Sequence, residues 1–92
     1  MTPASPPGVR ITFKLFASLQ DYLPVEAKLN NALQLDLAEG STVSAVIAQW
    51  GLPEKSCHLV LVDGHFIPPQ ERNRRRLANG ETLAIWPPIA GG

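Results

Sequence analysis

With 92 residues, one cysteine, and eight basic against eight acidic side chains, the chain has room for one hydrophobic core and no internal disulfide. Zero net charge supplies no global field toward nucleic acid or anionic lipid, and 45% apolar residues argue against wholesale disorder. The longest aliphatic run, LVLV at 59 to 62, is too short to cross a bilayer, and MTPASPPG at the start has neither a basic nor an apolar targeting region. A lone cysteine fits a reducing compartment, so a cytoplasmic protein is expected.

Residues 1 to 8 hold three prolines and read as a disordered or polyproline-like arm. VRITFKLF (9 to 16) alternates Val9, Ile11, Phe13 and Leu15 against Arg10, Thr12, Lys14 and Phe16, a strand with one buried face. Between 17 and 31 the signals are mixed; Leu19, Tyr22 and Leu23 suggest a short helical turn ahead of Pro24. ALQLDL (32 to 37) sets Leu33, Leu35 and Leu37 on one face, a second strand.

EGSTVSAVIAQWGLP carries the clearest helix, with Val43, Val46, Ile47 and Trp50 at i, i+3, i+4 and i+7. Ser41 or Thr42 can cap it, and Gly51 and Pro53 end it. LVLV, DG and HFI then form a hairpin signal, because Asp-Gly suits a turn that needs positive φ. Pro68 and Pro69 stop it. QERNRRRL reads as polar and irregular, NG (79, 80) as a turn, and ETLAIW (81 to 86) as a last strand alternating Leu83 and Ile85 against Thr82, Ala84 and Trp86.

Strand, strand, helix, strand, short strand, strand predicts an α+β domain over 9 to 86, a mixed sheet curled round one main helix in the β-grasp, or ubiquitin-like, manner. Residues 87 to 92 form a C-terminal tail. Pro87 and Pro88 lack amide donors and detach the chain from the sheet; Ile89, Ala90, Gly91 and Gly92 beyond them reach about 13 Å when extended. Two glycines without Cβ atoms let backbone and carboxylate pass a narrow channel. A terminal carboxylate is a poor acyl donor until adenylated by ATP, after which its acyl carbon can pass to a sulfur nucleophile.

NGETLAIWPPIAGG, together with the element order, resembles the MoaD/ThiS sulfur carriers, prokaryotic relatives of ubiquitin, over about residues 9 to 92. The resemblance implies adenylation of Gly92 by a ubiquitin-activating-type adenylyltransferase that uses ATP and magnesium, and sulfur delivery from a persulfide donor. Gly92 then bears the thiocarboxylate and Gly91 is the slender residue behind it. VRITFKLFASLQDYL and WPPIAGG look like the small subunit of molybdopterin synthase, whereas LVDGHFIPPQER is closer to the thiazole-pathway carrier. The first branch is favoured, with a thiamine-pathway or general sulfur carrier as alternative. It implies a heterotetramer with two large subunits, and a chain that is a cosubstrate rather than an enzyme.

Trp86 beside the prolines, Phe66 in the hairpin, and Arg74, Arg75 and Arg76 within RNRRR are the expected partner-facing residues. Four arginines in five residues suit an acidic partner or a phosphate, but neutrality and the lack of interleaved aromatics disfavour nucleic acid. Cys57, His58 and His65 lack metal-ligand spacing, so no resident metal or other permanent cofactor is expected. Trp50 is read as core or interface. A ubiquitin-like protein modifier joined through Gly92, or a plain β-grasp interaction module, are the remaining readings.

Overall fold

The computed structural model describes residues 8–88. Five strands form one sheet: β1 (Gly8–Leu15), β2 (Ala32–Ala38), β3 (Leu59–Val62), β4 (His65–Phe66) and β5 (Thr82–Trp86). Their spatial order is β2-β1-β5-β3-β4. The first and last strands lie side by side and parallel at the centre, while the other neighbouring pairs are antiparallel. The mixed sheet with its helices on one face is the expected α+β, ubiquitin-like β-grasp arrangement.

Alternation along the strands makes the core. In register across the sheet, Leu33, Phe13, Leu83 and Val62 form one inward row, and Leu15, Ile85 and Val60 form the next. Phe13, Leu15, Val60, Leu83 and Ile85 are sealed from solvent. Leu37 is buried and Leu33 and Leu35 pack partly against the core, as the leucine spacing predicts.

Helix α2 (Val43–Gln49) covers that face with Val43 and Val46 buried and Ile47 and Trp50 half-covered. Trp50 places its ring 5.3 Å from that of Phe13. Thr42 is the cap: its hydroxyl accepts from the Ala45 N–H at 3.1 Å, while Ser41 Oγ donates instead to the Ala38 carbonyl. Gly51, at φ +68°, ends the helix as its position predicts.

The segment with mixed signals resolves into a 3-10 turn (Ala17–Tyr22) and a four-residue helix α1 (Val25–Lys28). Leu19, Leu23 and Ala27 from these pieces close one end of the core. Asp63 and Gly64 both have positive φ in the β3–β4 turn, the backbone that Asp-Gly favours. Asp63 ties that turn to β5: its N–H donates to the Thr82 carbonyl at 2.9 Å, and its carboxylate accepts from the Thr82 N–H at 2.8 Å.

Four strand boundaries move by a residue: β1 includes Gly8 and stops at Leu15 rather than Phe16, β2 runs on to Ala38, and β5 begins at Thr82. The remainder of the expected N-terminal arm, and Ile89, Ala90, Gly91 and Gly92 of the expected tail, lie outside the described residues. No helix among the described residues is long and apolar enough to cross a membrane.

Candidate functional site: the sheet face at the root of the tail

Strand β5 ends under geometric control. The Phe16 N–H donates to the Ile85 carbonyl at 3.2 Å and the His58 N–H to the Trp86 carbonyl at 3.0 Å. Pro87 and Pro88 follow without an amide hydrogen to offer, so the ladder cannot continue. Pro87 is half-buried and Pro88 exposed, which places the chain at the surface as it leaves the sheet.

The Trp86 ring lies on Phe16, centroids 4.1 Å apart and planes within 2°. Phe16 follows β1 and precedes Ala17, whose φ of 53° turns the chain away from the sheet. Stacked aromatic pairs of this kind contribute about 0.5–1.5 kcal/mol beyond their burial, enough to fix the indole plane where the tail departs.

The two aromatics belong to a broader surface. Helices cover one side of the sheet, so the outward side chains of alternating strand positions meet solvent. Register aligns Lys14, Ala84, Leu61 and Phe66 in one outward row across β1, β5, β3 and β4, and sets Leu59 against Trp86 in the row beside it. Phe66 is 52% exposed and Leu59 36% exposed, values far from those of a buried core. Phe66, Leu61, Leu59, Trp86 and Phe16 thus make an apolar face beginning at the tail's root, with Lys14 at its margin; Ala84, on the same side of the sheet, is itself buried. Exposed apolar patches of this kind mark protein-binding surfaces.

The partner-facing residues expected from sequence divide in two. Phe66, Arg74 and Arg75 line one groove together with Ile67, Pro68 and Glu71, so the arginine loop borders the apolar face at the β4 edge. Arg74 is largely exposed and 3.9 Å from Glu71. Arg76 is exposed, forms an isolated bridge with Thr42 beside the start of α2, and is not among the residues that line this groove.

RNRRR is not a uniformly solvated loop. Arg72 is 5% exposed, its Nε donating to the Ile67 carbonyl at 3.1 Å and its Nη1 to the Cys57 carbonyl at 2.9 Å. A buried guanidinium satisfies loop carbonyls that no strand or helix reaches, which is why this polar run turns inward at one position. The arginine cluster expected from the sequence is therefore divided between a buried clamp and surface cations.

Arg75 pairs with Glu81, Nη2 to Oε2 at 2.5 Å, and Glu81 also accepts from the Ala78 N–H at 2.7 Å. The Arg75 hydrogen bond, aided by that of Ala78, holds the Glu81 carboxyl below its ordinary value. A lowered folded-state pKa gives a contribution present in full above the unfolded value of about 4.3 and lost as pH falls toward the folded one. Glu81→Gln should therefore cost at most about 1 kcal/mol at pH 7 and reduce the fall in melting temperature between pH 5 and 3. An unchanged acid limb in that variant would remove Glu81 from the account.

Cys57 is buried, its thiol directed to the Pro53 carbonyl at 3.5 Å, and burial pushes its pKa up despite the nearby charge of Arg72. That suits a packing role rather than a nucleophile. His58 beside it, and His65 on β4, are exposed. Among the described residues no group of three His, Cys, Asp or Glu side chains is placed to hold a metal ion.

Sequence patterning finds Trp86 and Phe66 and sets Ala84 opposite the inward Leu83 and Ile85, but leaves Leu59 and Leu61 unassigned to any surface, although the period of two in LVLV was the available signal. Phe16 was placed outward by its alternation; its stacking on Trp86 depends on pairing between strands nearly seventy residues apart and is not readable locally.

No curated protein sequence matches the chain. Among solved structures, the HVO 2177 protein of Haloferax volcanii superposes with a TM-score of 0.73 at 16% identity, covering 100% of this chain and 94% of that one. A protein described as molybdopterin converting factor subunit 1 from Pyrococcus furiosus gives 0.62 at 19%, over 88% and 99% of the respective chains. The small archaeal modifier protein 1 of Methanosarcina acetivorans gives 0.61 at 24%, over 92% and 98%. These likenesses establish the fold. The model of the ThiS family matches residues 13–92, a span that begins within β1, takes in every later strand and the apolar face, and continues through the closing Gly-Gly: the chain belongs to the ThiS family.

Proposed function

We propose that the chain is a sulfur carrier whose working group is the carboxylate of Gly92, with Gly91, Ala90, Ile89, Pro88 and Pro87 giving it access to partner active sites. The observation that carries this reading is the family match running through the Gly-Gly. The apolar face at the root of the tail supports it, since a tail that must enter another protein needs a docking surface beside its exit.

In this reading an activating adenylyltransferase joins the carboxylate to the AMP of magnesium-bound ATP and releases pyrophosphate. A persulfide sulfur then attacks the acyl carbon, expelling AMP, and a second thiol takes the donor's remaining sulfur as a disulfide and frees the thiocarboxylate. The carrier supplies no acid or base to these steps. It contributes a carboxylate, a slender approach and a surface. Trp86, Phe66, Leu61 and Leu59 dock the partner, with Arg74 and Arg75 at the rim; Arg76 lies apart and serves at most as a remote contact.

Molybdopterin synthesis is the favoured destination, with a large synthase subunit as the sulfur acceptor, because WPPIAGG and the LFA segment fit that branch. A thiamine-pathway or general carrier uses the same chemistry up to the acceptor. The likeness to a small archaeal modifier gives one specific reason to retain a second reading, conjugation of Gly92 to lysines of target proteins.

The test is intact-mass spectrometry of the chain after incubation with an activating enzyme, magnesium-ATP and a persulfide donor. Replacement of one oxygen by sulfur is expected in the full chain and not in a chain lacking Gly92. Adenylation followed by isopeptide-linked conjugates, without any sulfur gain, would replace the carrier with the modifier.

A further inference from the structure

Arg72 is the buried charged residue of the described structure, and two of its nitrogens are accounted for by the Ile67 and Cys57 carbonyls. Its Nη2 is also sealed and has no hydrogen-bond partner. The ion pairs among the described residues are Arg10–Asp36, Arg74–Glu71 and Arg75–Glu81, so no carboxylate of a described residue lies within 4.0 Å of this guanidinium. A buried ion without a counter-ion is costly, and arginine cannot relieve the cost by losing its proton.

Arg72 forms part of the wall of a groove of about 690 Å³ whose other walls are Pro53, Glu54, Lys55, Cys57, His58 and Pro69. Lys55 and His58 are exposed and contribute donors at the same opening. Glu54 is the one acidic group there, set against two fixed positive charges. The groove is distinct from the apolar sheet face, yet it touches the tail's root, since the His58 N–H holds the Trp86 carbonyl at 3.0 Å.

We propose that this groove is a binding site for a small oxyanion, phosphate or carboxylate, held directly by Lys55 and His58 and attracted by the uncompensated charge of Arg72 behind them. Arg72 acts through its field, because its free nitrogen is sealed; the exposed pair makes the contacts. Charge of this kind in a low-dielectric wall acts more strongly than the same charge in water. Such a site is separate from the sulfur chemistry and does not depend on it.

The experiment is a titration of the isotopically labelled chain with inorganic phosphate, ionic strength held constant with chloride, followed by ¹⁵N–¹H NMR. No activating enzyme or sulfur donor is present, so the result is independent of the carrier reading. Saturable shifts are expected at the amides of Lys55, Cys57 and His58 and at the Arg72 Nε–H. In the Lys55→Ala/His58→Ala variant, both exposed changes that leave the core intact, half-saturation should rise by at least about tenfold. A parallel arm with acetate separates the sources: binding of both anions assigns a general oxyanion site open to a partner's carboxylate, and binding of phosphate alone narrows it to phosphate. Shifts that grow without saturation, that centre on Arg74 and Arg76, or that persist unchanged in the double variant overturn the proposal.

Discussion

In the proposed carrier, Leu61→Glu should weaken recognition by an activating enzyme by roughly 30-fold or more while leaving the melting temperature nearly unchanged. Leu61 lies at the middle of the outward row, between Ala84 on β5 and Phe66 on β4. It is half-buried on the outward side of the sheet, so a glutamate there can still turn its carboxylate to water in the free protein and loses that hydration when a partner covers the face. The loss should therefore fall on the KM for the carrier, with kcat at saturating carrier retained. A central apolar position in an interface contributes about 2 kcal/mol or more when disrupted, which sets the size of the effect. An unaltered KM would show that the partner docks elsewhere on the domain. A fall in kcat alone would place Leu61 in tail delivery rather than docking.

Phe13→Ala is expected to have the largest effect on stability, about 3–5 kcal/mol. The ring is sealed from solvent, sits in register between Leu33 and Leu83, and lies 5.3 Å from Trp50, so removing it opens a cavity that touches both sheet and helix. Domains of this size have only about 5–15 kcal/mol of total stability. The melting temperature should fall on the order of 20 °C, measurable by thermal unfolding followed by circular dichroism. A cost below about 1 kcal/mol would mean that the helix and sheet collapse onto the vacated space and that the interface is far more plastic than its packing indicates.

The strands and α2 were legible in the sequence because each obeys a local period. Val9 to Phe16 alternates, Val43 to Trp50 repeats at helical spacing, and Asp-Gly marks the hairpin by its need for positive φ. Residues 17 to 31 were not legible, since a 3-10 turn and a four-residue helix are too short to show a period and depend on Ala17 and Asn31 adopting left-handed backbone. Arg72 was read with its neighbours as part of one polar, irregular run because nothing local distinguishes it. Its burial follows from carbonyls at residues 57 and 67 that only tertiary folding brings within reach. The docking face was partly hidden for a related reason: it draws one or two apolar side chains from each of several strands, and none of those strands looks unusual alone. The Gly-Gly tail, by contrast, was read entirely from sequence.

The central position of β5 bears on how the protein is made. Thr82–Trp86 is the last strand in sequence, yet it fills the gap between β1 and β3. Until it is in place, β1 and β3 each expose an unpaired edge and the sheet is split in two, with inward faces that have nothing to close against. During synthesis the domain must therefore wait in an open form, dependent on contacts between its two ends, until residue 86 has left the ribosome. A chain broken off before β5 is left with two separate hairpins, β1 with β2 and β3 with β4, and lacks the one strand that joins them into a single sheet.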